Sequence, residues 1–343
     1  MNVALGKFGF TRKRAPTDVI GLDVGGVATH VVRLKRSGPS IMLVAADVFP
    51  RQVLPALVGD LVLPPPLLLP KAFRSLYAAI AVTSPQASIR LLAVPAGAES
   101  LQQLNFNELL GIAEGAEFRI SYEVLATEGR EQSILASALP EKQARWAVAM
   151  LPHGVPAPRS LQAGGAAVLN CFAHELAAHH GDVPAIFVQV GTEVTDVAAF
   201  YKGKLTLYRQ CMMGSASIVK TVRDRFGIEE DLVPGVLEDD LIDASQPIAT
   251  AIEPFLRQLV LAREFVERKR ACRLEKVLLC GSLMGAKHWT AHIVKTLGIT
   301  PEVWNPLATL ASAPEALSER AKGMESGFAT AVGAALAVLE GDR

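Results

Sequence analysis

Two short stretches carry the residue types that handle phosphate and divalent metal. "IGLDVGGVATHVVRL" begins at Ile20 and "IFVQVGTEVTDVAAF" at Ile186; one constant spacing pairs Asp23 with Gln189, Gly25 with Gly191, Thr29 with Thr195 and His30 with Asp196. Each is a β-branched run, a glycine-bearing turn and a second apolar run, the pattern of a hairpin. Glycine in such a turn lets backbone N–H groups approach an anion with no Cβ in the way. A carboxylate closing the first strand would orient hydrated Mg²⁺, which prefers carboxylates, phosphates and water. Asp23 supplies that carboxylate in the first copy, whereas Gln189 brings an uncharged amide to the second. The first turn holds Gly25 and Gly26 and runs on to Thr29, and the second holds Gly191 and Thr192.

Both stretches run on through a Lys/Gly/Ser turn into a third strand, so the chain contains one β-meander twice. Two such meanders, each followed by helical segments, predict two similar α/β lobes facing each other across a cleft. A further glycine turn stands at Gly214. In "LEKVLLCGSLMGAKHW" a strand runs through Gly281 and Ser282 into a helix whose first N–H groups would face a ligand. Other roles fit the same residues. The glycines also serve hairpin geometry, Thr195 and Asp196 read as supports of the second turn, and Gln189 reads as a satisfied buried amide.

The 343 residues give room for two domains, and with 50% hydrophobic and 20% charged residues the chain is globular. Lys plus Arg and Asp plus Glu balance at 34 each, which excludes a general attraction to nucleic acid. "KFGFTRKR", with Lys7, Arg12, Lys13 and Arg14, reads as a solvated tail or a contact with anionic lipid or an acidic partner. No signal-peptide pattern opens the sequence. Cys171, Cys211, Cys272 and Cys280 form no CxxC pair and read as small hydrophobes in a reducing compartment. "VLPALVGDLVLPPPLLLP" raises the question of a membrane span, but its prolines and Asp60 exclude a helix. It reads as a linker, which leaves no transmembrane segment and any membrane association to a partner. His174 and His179 in "HELAAHH" are five apart, roughly 140° around a helix, so they do not make the helical zinc pair. "REFVERKRACRLEK" has the spacing of an amphipathic helix, and "EEDLVPGVLEDD" reads as an exposed acidic loop.

In their order along the chain these motifs resemble the actin-like superfamily of actin, Hsp70, sugar kinases and FtsA. Within it they look most like the PilM family of the type IV pilus inner-membrane platform. "IGLDVGGVATHVVRL" resembles phosphate loop 1, "FVQVGTEVTDVAAFYKGKLTLYRQCMMGSASI" phosphate loop 2, "VLLCGSLMGAKHW" the adenosine loop, and "FATAVGAALAVL" the closing helix. The resemblance implies an α/β, actin-like (ribonuclease H-like) duplicated fold, two lobes around a nucleotide cleft, with a small FtsA/PilM-type inserted subdomain. The first lobe would span 1–85 with 141–182 and 321–343, the insert 86–140, and the second lobe 183–320. The chain stops at "EGDR" after the closing helix, so the membrane helix of FtsA is not expected.

The same resemblance implies a cytoplasmic scaffold, peripheral to the inner membrane through its partners. It would bind the cytoplasmic tail of a PilN-like bitopic protein in a groove formed with the insert, within Ser88 to Pro140 and the adjoining strands. Pilus motor ATPases are further partners it suggests, and a homodimer is left open. The resemblance places Asp23, Gly25, Gly26, Thr29, Gln189, Gly191, Thr192, Gly214, Gly281 and Ser282 at the nucleotide, with Asp23 as the metal ligand and no catalytic residue. ATP with Mg²⁺ is the implied cofactor, held weakly or lost, because this chain departs from the family pattern. Gln189 replaces an acid, His30 a Lys, and Ser215 and Ser282 second glycines, while the segment after "IVKTVRDRFGI" lacks the family's ribose-holding Lys. The alternative is an active actin-like ATPase, filament-forming as FtsA is, or a small-molecule kinase. A sugar kinase would need a catalytic Asp base and a polar sugar pocket, and no motif supplies either.

Overall fold

A computed structural model describes residues 16–97, 101–239, 241–282 and 287–340, with the side chains of 180, 287 and 288 left out. The basic stretch Lys7–Arg14 and residues 283–286 of the adenosine-loop pattern lie outside the described residues.

The apolar run Asp18–Val24 (β1) is buried almost throughout because it lies inside a sheet, covered on both faces. It pairs antiparallel with β2 (Thr29–Ser37) and parallel with β4 (Tyr77–Val82). With β3 (Ser40–Phe49), β8 (Ala157–Ala163) and β14 (Ala311–Ser312) they form a six-stranded sheet of order β14-β3-β2-β1-β4-β8. A second, five-stranded sheet has the order β11-β10-β9-β12-β13, built from Lys204–Cys211, Thr195–Tyr201, Ala185–Val190, Lys276–Gly281 and Glu302–Val303. The run β3-β2-β1-β4 is thus repeated as β11-β10-β9-β12, with the meander antiparallel and the last pair parallel in both. The duplication read from the two hairpins is a duplication of the sheet. Residues 311–318, which the resemblance groups with the second lobe, return to the first sheet, where Ala311 pairs with Met42 and Leu317 bridges to Ala46.

The insert is a three-stranded sheet of order β5-β7-β6, formed by Ser88–Pro95, Glu131–Pro140 and Phe118–Glu128. Ile134, Ala136 and Ala138 of β7 are buried in a small core with Phe106 and Leu110 of helix α1 (Phe106–Leu110). That helix is shorter than "NFNELLGIAEGAEF" suggests, because the Asn105 side chain caps its start and Gly111, at φ 70°, ends it after five residues.

Three helices cover the first sheet: α2 (Glu141–Ala149), α3 (Gly164–Glu175) and the mostly apolar α8 (Ala329–Glu340). On the second lie α4 (Ser215–Phe226), the 26-residue α6 (Ser245–Arg270) and α7 (Lys287–Leu297). Of the basic amphipathic segment only residues 263–270 form the last turns of α6; Ala271, at φ 48°, ends the helix, and the rest leads into β12. The acidic segment is not loop throughout, since Val233–Glu238 form a short helix (α5).

His174 pairs with Glu340 and His179 with Glu175, so the two imidazoles have separate partners. Among the described residues no cluster of three His, Cys, Asp or Glu could hold a metal, and no helix is long and apolar enough to cross a membrane. The proline-rich stretch lies as an extended strap along α2. Lys142 Nζ donates to the carbonyls of Val58 (3.1 Å) and Gly59 (2.8 Å), and the Leu67 N–H donates to Met150 (2.8 Å).

Helix α8 packs against α3 through a backbone contact: a Cβ on Gly333 would collide with the Ala167 carbonyl oxygen. Because the obstacle is main chain and not a movable side chain, Gly333→Ala should destabilise the protein by about 1–3 kcal/mol in urea unfolding, the usual cost of overpacking.

Candidate functional site

The two glycine turns meet between the lobes. A methyl group added to Gly26 would lie 3.6 Å from Thr192 Oγ1, so the first turn faces the second across a narrow gap. Gly25 has φ +102° and its turn presses on the Thr83 carbonyl, a position open only to glycine. Gly281, at φ +105°, lies against the Val190 carbonyl, and Ser282 donates its N–H to that oxygen at 2.8 Å. Gly214 caps α4, and the N–H groups of Ser215 and Ala216 bond the carbonyls of Gly191 and Thr192, both at 2.9 Å. The start of α4 is therefore spent on fixing the second turn.

Asp23 is buried and accepts a hydrogen bond from Thr83 Oγ1 at 2.7 Å. Burial pushes its pKa up to about 7; the Thr83 bond opposes this, and the charge of Asp196 adds to it. His30 Nδ1 lies 4.0 Å from Asp23 Oδ2, within ion-pair range, yet burial drives His30 down to about 4. The imidazole is thus neutral near pH 7 and leaves Asp23 uncompensated. It packs on Phe328, with ring centroids 5.1 Å apart, and lies under Gly327. It does not present a cation to a phosphate as the Lys it replaces would.

On the opposite lobe Gln189 Nε2 donates to Thr330 Oγ1 at 2.7 Å, while Gln189 Oε1 is buried with no hydrogen-bond partner. The expectation of a satisfied amide is therefore half met. Thr192 Oγ1 is likewise buried and unpartnered. Thr29 corrects an expectation: its hydroxyl donates to the Pro50 carbonyl at 3.1 Å, within the β2–β3 side of the lobe. Thr195 supports the second turn by donating to the Met213 carbonyl at 2.7 Å.

The second acid of the cleft is Asp196, directly across from Gln189 in the β9–β10 register. The hydroxyl of Tyr208 donates to Asp196 Oδ1 at 2.5 Å, and Gln210 adds a side-chain bond; burial nevertheless pushes the carboxyl up to about 6. Motif reasoning gives Asp196 only the part of a turn support and passes over Thr83, Tyr208, Gln210 and Thr330. The signal for Asp196 was present in the repeat, which aligns it with His30, the neighbour of Asp23. The cleft thus holds two buried carboxylates, one amide and glycine turns. One acid is hydrogen-bonded to a threonine and the other is engaged by a phenol, which is a poor donor set for hydrated Mg²⁺.

A second concave site lies between the insert and the first lobe, a groove of about 670 Å³. One wall is the outward face of the insert, where the cross-strand pairs Arg119–Leu139, Ser121–Ser137 and Glu123–Leu135 stand in a row. Arg119 forks onto Glu141 at 2.6 and 3.0 Å, and this holds the Glu141 carboxyl below its ordinary range. The facing wall is Leu161–Ala163 of β8, then Ala166, Asn170 and Ala173 on one stripe of α3, with Ala337 and Glu340 of α8. Asn170 Nδ2 donates to Gln162 Oε1 at 3.2 Å, which gives the groove a short amide ladder. Both β6 and β8 are edge strands.

Two lobes built on one repeated sheet around a glycine-lined cleft, with a three-stranded insert on the first, make an actin-like fold. The fold is shared with a chain of the PilM–PilN type IV pilus biogenesis complex, at a TM-score of 0.73 and 21% identity over 94% of this chain and 99% of that one. Weaker likenesses reach a Bacteroides thetaiotaomicron protein with an actin-like ATPase fold and unknown function (TM-score 0.45, 10% identity, 92% of this chain and 98% of that one). An archaeal actin homolog gives 0.44 at 10% identity, covering 94% of this chain and 99% of that one. No protein-family model matches the sequence, and no curated protein matches it.

Two predictions follow from the cleft acids. A buried carboxyl with its pKa raised from 3.8 to about 7 contributes stability that is fully present below the unfolded value and lost as pH rises toward the folded one. Urea unfolding from pH 4 to 8 should therefore show Asp23→Asn gaining on the wild type up to about pH 7 and levelling beyond it. His30, shifted the opposite way, cancels in that difference. Gln189→Asp would add a further buried acid beside this pair. The variant should melt earlier than the wild type without metal and recover with Mg²⁺ and nucleotide, as thermal unfolding would register.

Proposed function

We propose that this chain is a PilM-like, cytoplasmic scaffold of a type IV pilus or related secretion platform at the inner membrane. Its groove between insert and first lobe would hold the cytoplasmic tail of a PilN-like bitopic protein. The observation that carries this reading is the groove itself. It is lined by two edge strands, and it offers apolar side chains (Leu135, Leu139, Leu161) beside the Gln162–Asn170 amides. An extended peptide takes main-chain hydrogen bonds from such edges and amides and sets its side chains into apolar pockets. The shared fold with a chain of the PilM–PilN complex supports the same assignment.

In this reading the cleft between the glycine turns is a degenerate ATP site. Asp23, Gly25, Gly26, Gly191, Thr192, Gly214, Gly281 and Ser282 keep the outline of a phosphate clamp. The unpartnered Thr192 hydroxyl would still meet a phosphate oxygen once the lobes part. Phosphoryl transfer rests on positioning and metal-centred electrostatics. Gln189 bonded to Thr330, and Asp196 held by Tyr208, favour a binding or structural role over turnover.

Ala173 is exposed on the groove stripe of α3, so Ala173→Arg fills the groove without entering the core. Fluorescence anisotropy with the tail peptide of the PilN-like partner should show at least about a tenfold loss of affinity, the result of blocking a peptide pocket, with the melting temperature unchanged. Unaltered binding would remove the groove from the proposal. Phosphate release from ATP and Mg²⁺ by the wild type would replace the scaffold with a working ATPase.

A further inference from the structure

We propose that the proline-rich strap is a lipid contact, through which the chain itself docks on an anionic membrane surface. The sequence reading made this stretch a linker and left membrane association to a partner. A linker running over a surface is expected to turn its apolar side chains inward, and here many point out. Val58, Val62, Leu63 and Leu68 are 90%, 76%, 62% and 83% exposed, and Leu76 and Val155 are 63% and 58% exposed. Scattered exposed apolar residues need no explanation, but a contiguous group marks an interaction site.

Three of the six side chains form one patch, and the strap that carries the others is held in place. Leu68, Leu76 and Val155 share the rim of one apolar pocket of about 580 Å³, above the buried Leu67 and Phe73. The bonds that Lys142 donates to the strap and that the Leu67 N–H donates to the Met150 carbonyl tie its inner side to α2, which leaves the outer side facing solvent.

Charge decides the kind of partner. Exposed Arg51, Lys71 and Arg74 border the apolar side chains, and Asp60 is the only acid from 51 to 76. Asp18, at the pocket, is neutralised by Arg33 at 2.6 Å. In sequence, the fifteen residues before Pro16 carry Lys7, Arg12, Lys13 and Arg14 and no acid. Apolar side chains among cations form the pattern that lies in the headgroup region of anionic lipid. Pro64, Pro65, Pro66 and Pro70 have no N–H, so the strap is poorly equipped to pair as a strand with a second copy or another protein.

The test is co-sedimentation of the full chain with vesicles containing phosphatidylglycerol, against vesicles of phosphatidylcholine alone. The wild type should pellet with the anionic vesicles, less so as salt is raised, and much less with the zwitterionic ones. Leu63→Asp/Leu68→Asp removes exposed apolar side chains and Lys71→Glu/Arg74→Glu reverses exposed charges. Each should weaken binding by at least about tenfold, with unchanged melting temperature. Ala173→Arg should pellet as the wild type does, which separates this inference from the tail-binding reading. The proposal is overturned if the wild type does not bind anionic vesicles or if the double-Asp variant binds as well as the wild type. A change in self-association alone, by sedimentation velocity, would assign the strap to a second copy.

Discussion

The close approach of the first turn of α3 to both lobes at once constrains the rest of the molecule. A Cβ on Gly164 would strike Thr83 Oγ1, the hydroxyl that bonds Asp23; a Cβ on Gly165 would strike the Tyr208 hydroxyl and come within 2.7 Å of Asp196 Oδ1. Only two consecutive glycines let one helix end sit between a buried acid of the first lobe and a buried acid of the second. Gln210, which bonds Asp196, also accepts the N–H of Ile89 at 3.2 Å and so ties β5 of the insert to the second lobe. Cleft, insert and α3 share one set of contacts, and the groove wall formed by α3 is fixed from the cleft side.

Holding two carboxyls in that space costs solvation, and both respond by moving toward their neutral forms. The hydrogen bonds from Thr83 and Tyr208 offset part of the cost. Gln189, opposite Asp196 in the β9–β10 register, adds no third charge to the space. Packing of the glycine turns against main-chain carbonyls is independent of any ligand, so the clamp keeps its shape.

The groove and the strap use what the core leaves over. In β7 the alternation of a strand gives Ile134, Ala136 and Ala138 to the insert's own core and turns Leu135, Ser137 and Leu139 toward the first lobe. Prolines cannot donate to a sheet, so the strap lies on α2 by way of its carbonyls and a few N–H groups, and several of its apolar side chains stay outside.

The sequence by itself determined the duplicated meander, the order of the insert and helices, and the pairing of Asp23 with Gln189. Period, turn residues and a repeat are local or one-dimensional signals. Tertiary structure decided what each polar group does. Thr29, a candidate ligand, spends its hydroxyl on Pro50, and His30 is buried and neutral under Phe328. Asp196, read as a turn support, is the second acid of the cleft, because its partners Tyr208 and Gln210 come from the next strand and Asp23 from the other lobe. The groove residues come from β6, β7, β8, α3 and α8, far apart along the chain, and no spacing marks them. Hydrogen bonds, burial and charge act through space, so the role of a polar residue depends on neighbours that only the folded chain brings to it.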